Sequence, residues 1–388
     1  MIIPFPSWVR RIAFAAFSSW AVIGSLAHEA RGQAVWEFPP LSATPAGSNG
    51  WLATIPFAED NDTFFIVLPA SVGGIRAWWV VDTGTGRCQI DASLVSRLKH
   101  HPREGLRVDL APGISVTCDS ANIQDLRRAT SDFGRRVGGV LGYQLFARYV
   151  VQIDYAAHAL RLYDPKVYRY AGRGDTIVLT FDGKHPRVPV RIADGGVEIA
   201  RAPFLVTGSA DAVNDSLVLN SHTLPRYEVT TSVVGSDSGA AQKALEGTFE
   251  SVRLGRFSLT NIPSTGDGPG LVGGAFLRQF TCILDYPHHR MFVEPNEHFG
   301  EVFDRGPRSG LTFLASSEHP EPTVTFVIPG SPGAIAGIRA GDVIHELDHQ
   351  LSRELGVNRV ERLLNRAGNS YQLVIQRGNR SLSIHLRV

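Results

Sequence analysis

An aspartate followed by Thr-Gly-Thr, and a second segment of similar order, are the parts of the chain best suited to acid–base chemistry. In the first, the apolar run Ala77-Trp78-Trp79-Val80-Val81 leads into Asp82-Thr83-Gly84-Thr85. Gly139-Val140-Leu141-Gly142 and then Val150-Val151-Gln152-Ile153-Asp154-Tyr155 follow. The second segment repeats that order, with Phe204-Leu205-Val206-Thr207-Gly208-Ser209, Gly270-Leu271-Val272-Gly273 and Cys282-Ile283-Leu284-Asp285-Tyr286. A carboxylate on a tight turn, with Thr behind it and Gly permitting close backbone approach, presents an acid at the floor of a cleft. Two such acids side by side share one proton, because both cannot ionise together. One acts as base towards a water and the other protonates a carbonyl or leaving group. Aligning Thr83-Gly84 with Thr207-Gly208 sets Asp82 opposite Val206, which can neither share a proton nor bind water. Asp82 also admits a plainer reading, as a turn residue bonding its own backbone. The apolar run before it and the Gly142 element favour the cleft floor.

The segments around these loops read as strands. Short runs rich in Val, Ile, Leu and aromatics are separated by Gly, Pro, Asp and Asn, as at Val150 to Ile153, Ala159 to Tyr163, Thr176 to Phe181 and Arg187 to Ile192. Long helical periodicity is absent there. A mainly β architecture of two similar lobes follows from the duplication, with the lobe junction in the Tyr168 to Asp175 region. Asp154 and Asp285 alternate with apolar residues at strand ends and are expected at solvent-facing turns. Arg107 to Thr117, centred on Pro112-Gly113, is either a flap hairpin over the cleft or an ordinary surface hairpin. Gly235 to Ala241, rich in Ser and Gly, reads as a loop; its Asp237-Ser238-Gly239 lacks a partner His motif.

With those residues in view, Asp82-Thr83-Gly84-Thr85 together with Val140-Leu141-Gly142 resembles the signature of aspartic peptidases, and the layout is most similar to the bacterial retropepsin-like aspartyl proteases. The resemblance covers roughly residues 50 to 295. It implies a two-lobed β-barrel fold built by internal duplication, with Asp82 as the catalytic acid. Thr83, Gly84, Thr85, Val206, Thr207, Gly208 and Ser209 would be the supporting loops, and no metal or cofactor is implied. In that family the apolar-apolar-Gly element packs behind the acid-bearing loop. The departure is Val206, since losing one member of a catalytic pair costs orders of magnitude in rate. Activity could survive if two chains met through their first lobes, if Asp211 or Asp215 replaced the missing acid by a register shift, or if one carboxylate worked slowly alone. For Asp211 and Asp215 a loop or helix cap beside Asn214 is the simpler role.

The chain changes character after Asp304, at Arg305-Gly306-Pro307. Ser331 to Ile344 (Ser-Pro-Gly-Ala-Ile-Ala-Gly-Ile-Arg-Ala-Gly-Asp-Val-Ile) resembles the small-residue helix, Gly-Asp turn and following strand of PDZ domains. Gly310-Leu311-Thr312-Phe313 is similar to the loop whose backbone amides hold a peptide's terminal carboxylate in that family, where an exposed strand edge accepts the peptide. Gly356 to Ala367 carries Val357, Val360, Leu363 and Leu364 at helical spacing. Gln372 to Ile375 and Leu382 to Leu386, joined at Gly378-Asn379, read as a hairpin. The expected plan is therefore a leader at 1–34, lobes at 35–170 and 171–304, and an α+β PDZ-like module at 305–388.

Composition bounds the partners. With 38 basic against 37 acidic residues in 388, no charged footprint for nucleic acid or an anionic membrane exists. Arg10-Arg11 followed by an uncharged apolar stretch from Ile12 to Ala27 reads as a secretory signal, with cleavage after Ala27 or Ala34, or else as a retained anchor. Both export the rest of the chain, to the periplasm or the medium, and an uncleaved segment would be the only membrane contact. Cys88 and Cys118 could bridge in an oxidising compartment, and Cys282 belongs to an apolar strand. His288-His289 lacks further ligands at metal spacing. The partner class is polypeptide: a substrate cut by an Asp-activated water, or a ligand held by a disarmed cleft, with peptide C-termini or extended segments at the PDZ-like groove.

Overall fold

The computed structural model describes residues 49–388 except 60–63, 99–104, 128, 131–134, 222–226, 232–241, 267, 269, 304–307, 315–320 and 367. The expected leader, the Gly235 to Ala241 loop and the Arg305-Gly306-Pro307 linker lie outside the described residues. The chain is mainly β, its sheets curled into half-barrels. Among the described residues no helix is long and apolar enough to cross a membrane.

The sequence repeat is a repeat of strand pairings. In the first half Ile75–Val81 runs parallel to Val137–Leu141, which lies antiparallel to Gln89–Asp91. In the second half Phe204–Leu205 runs parallel to Leu271–Val272, which lies antiparallel to Val213–Asn214. The wall strands repeat as well. Ile66–Val72 pairs with Leu106–Ala111 as Val190–Asp194 pairs with Gln242–Leu254. Gln89–Asp91 is parallel to Asn122–Gln124 as Val213–Asn214 is parallel to Phe257–Thr265.

The halves join in one six-stranded sheet, in the order Trp51–Pro56, Ala159–Tyr163, Val150–Asp154, Phe280–Asp285, Arg290–Pro295, Asp175–Val178. Its central pairing sets Val151 against Leu284 and Ile153 against Cys282. On one face Val151, Ile153 and Leu284 feed a core continuous through both halves. On the other, Val150, Tyr168, Ile283 and Phe292 form a second cluster, and Tyr170 of the expected junction stacks on Phe292 with ring centroids 4.0 Å apart. Because both faces are covered, alternation along these strands does not lead to solvent. Asp285 is fully buried, bonded to His288 Nδ1 at 2.7 Å and Arg290 Nε at 2.9 Å. Asp154 is paired with Arg161 at 2.7 Å. The expectation of a solvent-facing turn is therefore corrected for Asp285, whereas Asp154 is partly exposed and caps the following turn through Ala157 N–H at 3.0 Å.

Two expected strands are broken. Thr176 to Phe181 divides between two sheets around the buried Leu179, whose N–H goes to the His289 carbonyl. Arg187 to Ile192 divides around Pro189, which has no N–H for a ladder. The Arg107 to Thr117 hairpin exists, turning at Pro112-Gly113, but Leu106, Val108, Leu110 and Val116 are buried and its first strand is part of the wall. The Cys88–Cys118 disulfide ties it to the loop following Asp82.

Beyond residue 308 a separate sheet runs Leu311–Leu314, Thr323–Val327, Val343–Leu347, Ser370–Arg377, Arg380–Arg387, with its own core. The expected helix spans Val357–Leu364 and buries Val360 and Leu364. The expected hairpin turns at Gly378-Asn379, with Gly378 at a φ of 57° that suits a two-residue loop.

Candidate functional site

Parallel pairing brings the two repeat loops side by side. Asp82 N–H bonds the Leu141 carbonyl at 2.9 Å and Val206 N–H bonds the Val272 carbonyl at 3.0 Å, so the apolar-apolar-Gly element backs each loop as expected. The two buried threonines then exchange bonds. Thr83 Oγ1 donates to the Leu205 carbonyl (2.6 Å) and accepts from Thr207 N–H (2.9 Å). Thr207 Oγ1 donates to the Val81 carbonyl (3.1 Å) and accepts from Thr83 N–H (3.1 Å). Each hydroxyl uses its one proton and a lone pair on the opposite loop. Four backbone groups, two on each loop, are bonded in this exchange.

The same two-fold relation places residues 82 and 206. A Cβ added to Gly208 would stand 2.4 Å from Asp82 Cγ, and one added to Gly84 would stand 2.8 Å from Val206 Cγ1. Each loop's side chain lies on the other loop's glycine, which is why neither glycine can be larger. Val206 therefore stands in its loop where Asp82 stands in the first. Asp82 Oδ1 accepts from its own Gly84 N–H at 2.8 Å and from Gly208 N–H at 3.0 Å, while Oδ2 accepts from Thr85 Oγ1 at 2.7 Å. The Gly208 amide, left without a carboxylate on its own loop, serves Asp82 instead.

No register shift supplies a second acid in the place of Val206. Asp211 accepts from Ser209 Oγ at 3.0 Å. Asp215 is buried, capping the 3₁₀ turn Ser216–Asn220 through Leu217 N–H at 2.9 Å, with Arg201 3.5 Å away. Asp91 is its counterpart in the first half, accepting from Ser93 N–H and Leu126 N–H, each at 2.9 Å. Asp91 follows Asp82 at the same spacing as Asp215 follows Val206. That spacing is the signal by which the paired caps could have been found.

Close approach also governs the second glycine elements. A Cβ on Gly142 would meet the Thr85 carbonyl oxygen at 1.8 Å, and one on Gly273 would meet that of Asp211 at 2.3 Å. The residues after them donate to the loops, Tyr143 N–H to the Thr85 carbonyl (2.9 Å) and Gly274 N–H to the Ser209 carbonyl (2.7 Å). Tyr286 stacks on Phe146 at 5.1 Å and is buried, its hydroxyl without a hydrogen bond among the described residues. Burial pushes its phenol well above the usual range, and the Asp82 charge adds to the shift. Nothing in the sequence marks Tyr286 as a neighbour of Asp82. Among the described residues no three His, Cys, Asp or Glu side chains gather as metal ligands.

The structure places Gly310 to Phe313 far along the chain, in the separate sheet. Gly310 has a φ of 71° against Ser331, so a side chain there would be strained and crowded. Leu311 and Phe313 point into the module's core, and Thr312 Oγ1 shares a 2.8 Å bond with Thr325 Oγ1. Leu311–Leu314 is an edge strand with the Val357–Leu364 helix against it. The Leu311 amide is engaged by Ser309 Oγ at 3.3 Å. An open cavity of about 510 Å³ in this module is lined instead by residues including Phe326, Val327, Ile338 and Arg339.

No protein-family model matches the chain, and no curated protein matches it. Among solved structures, a PDZ domain protein from Parabacteroides distasonis is similar at 30% identity over 21% of this chain and 19% of that chain, with a TM-score of 0.19.

Proposed function

We propose that this is an exported protein of the aspartic-peptidase type whose catalytic pair is broken. It holds extended polypeptide across the Asp82 and Val206 loops and does not cut it. The carrying observation is that Val206 Cγ1 packs over Gly84 as Asp82 packs over Gly208. A lone carboxylate can take a proton from water, but the valine supplies no acid to protonate the carbonyl or leaving group, and both transfers are needed. The threonine exchange and both glycines are retained, so the binding floor is intact where the chemistry is not. In this reading lobes at 35–170 and 171–304 share the floor. A PDZ-like module at 305–388 takes chain ends or extended segments at its Leu311–Leu314 edge. No cofactor is required. The Cys88–Cys118 bridge supports an oxidising, exported location.

The test is cleavage of a mixed peptide pool by the purified protein between pH 3 and 7, beside Val206→Asp and Asp82→Ala. The expected result is a silent parent and an active Val206→Asp protein that is silenced again by adding Asp82→Ala. Cleavage by the parent that Asp82→Ala abolishes would overturn the binding-only reading in favour of a working endopeptidase.

A further inference from the structure

The two ends of the floor are related by the same pseudo-symmetry, yet they carry different charge. At one end the turn linking Thr180–Asp182 to His185–Arg187 reaches from the second half onto the loop that bears Asp82. His185 Nε2 stands 3.1 Å, and Lys184 Cβ 3.4 Å, from where a Cβ on Gly86 would be. The Lys184 ammonium lies 5.4 Å from the centroid of the Tyr143 ring. The next residue, Arg87, is exposed and lines an open cavity of about 410 Å³ with Ser120, Asn122 and Gln124. Among the described residues no carboxylate forms an ion pair with Arg87 or Lys184; the nearby Asp125 is held by Arg127 and Asp182 by Arg187.

The equivalent place in the second half is where Gly274 follows Gly273 as Tyr143 follows Gly142. There the reaching residue is Phe64, its Cβ 3.1 Å from where a Cβ on Gly274 would be. The cation over the Phe64 ring, Arg278, is paired with Glu301 at 2.8 Å, and the adjacent loop carries Asp211 bonded to Ser209. One end thus presents two cations without carboxylate partners and an imidazole. The other presents an aromatic ring, a paired cation and a carboxylate.

We infer that the Gly86 end is a subsite for an acidic side chain of the bound polypeptide, read by Arg87 and Lys184 with the amides of Asn122 and Gln124 at hand. The inference rests on the reading of the floor as a polypeptide site. Opposite polarity at the two ends sets the direction in which an extended chain lies, because reversing it would carry the acid to the Asp211 end. A guanidinium matches a carboxylate through two parallel N–H bonds. Loss of like-charge alternatives makes such sites selective more than tight.

The probes are acetylated, amidated decapeptides of Ala, Val and Thr carrying one Glu, Gln or Lys at successive positions, titrated into the full-length protein by fluorescence anisotropy. Blocking the C-terminus withholds a carboxylate from the PDZ-like module. The best-placed Glu peptide should bind about 3- to 10-fold tighter than its Gln twin, as a few rim charges allow. That ratio should invert towards Lys in Arg87→Glu/Lys184→Glu. In the parent it should shrink towards one as salt rises from about 0.05 to 0.5 M, a readout that needs no variant to fold. Equal binding of Glu and Gln peptides, or a salt-independent ratio, would overturn the acidic subsite and leave the polypeptide reading standing. No binding of any peptide would overturn both.

Discussion

Replacing Val206 with aspartate should make stability depend on pH in a way the parent does not show, and the size of the effect follows from Gly84. Val206 Cγ1 and Asp82 Oδ1 lie 2.8 and 3.1 Å from a single point, the place a Cβ on Gly84 would occupy. No more than about 6 Å separates them, the range in which like charges couple strongly. At an effective dielectric of about 20, two full charges at that distance repel by about 3 kcal/mol, equivalent to about two pKa units. The new pair then keeps one proton, and its upper apparent pKa rises from about 4 to about 6. A folded pKa above the unfolded value means that the contribution is fully present below about pH 4 and is lost as pH rises through about 6. Urea unfolding of parent and Val206→Asp at pH 4, 5, 6 and 7 should show the gap between them widening by about 2 kcal/mol over the series. A smaller constant cost, about 1 kcal/mol, accompanies it from removing the half-buried valine methyls. A gap that does not change with pH would show that residues 82 and 206 do not face one another, and the account of a broken pair would fail with it.

Other outcomes follow from the same bonds. Thr207→Val keeps the side-chain shape but leaves the Val81 carbonyl and Thr83 N–H without their partner; unfolding should show a loss of about 2–5 kcal/mol, with Thr207→Ser close to the parent. A Thr207→Val protein as stable as the parent would refute the exchange. In the C-terminal module, burial pushes the Asp342 carboxyl up, but bonds from Arg377, at 2.7 Å to each oxygen, and from Arg339 N–H outweigh it and hold it below the usual range. The folded pKa is depressed, so this pair stabilises above the unfolded value near about 4 and is lost as pH falls through the lower folded one. Arg377→Ala should cost about 3 kcal/mol at pH 7, read by hydrogen exchange in residues 323–347, and progressively less on acidification below about pH 4. A cost that stays constant on acidification would contradict the pairing.

The paired motifs were legible in the sequence because the contacts they make are forced by residue type. Only glycine can lie under a neighbouring side chain at 2.4 Å, so Gly84 and Gly208 marked the places where two loops press together before either loop had a position. The hairpin at Gly378-Asn379 and the helix ending near Leu364 were legible for a similar reason, since turn chemistry and helical spacing are local. Asp285 was misread because alternation reports which face of a strand a residue occupies, not whether that face is covered. Here the six-stranded sheet is covered on both sides.

The duplication, Asp82 in one loop, Val206 at the matching place in the other and the apolar elements behind each loop were all legible beforehand, because they are identities at fixed spacing. The assembled fold was needed to show that Val206 stands over Gly84, that the Gly208 amide bonds Asp82, that the buried Tyr286 feels the Asp82 charge, and that Lys184 and His185 reach across to Gly86. Those relations join residues from the two different halves of the repeat. They are set by how two half-barrels meet, a choice made by the summed packing of one shared core and one shared sheet and by no local propensity.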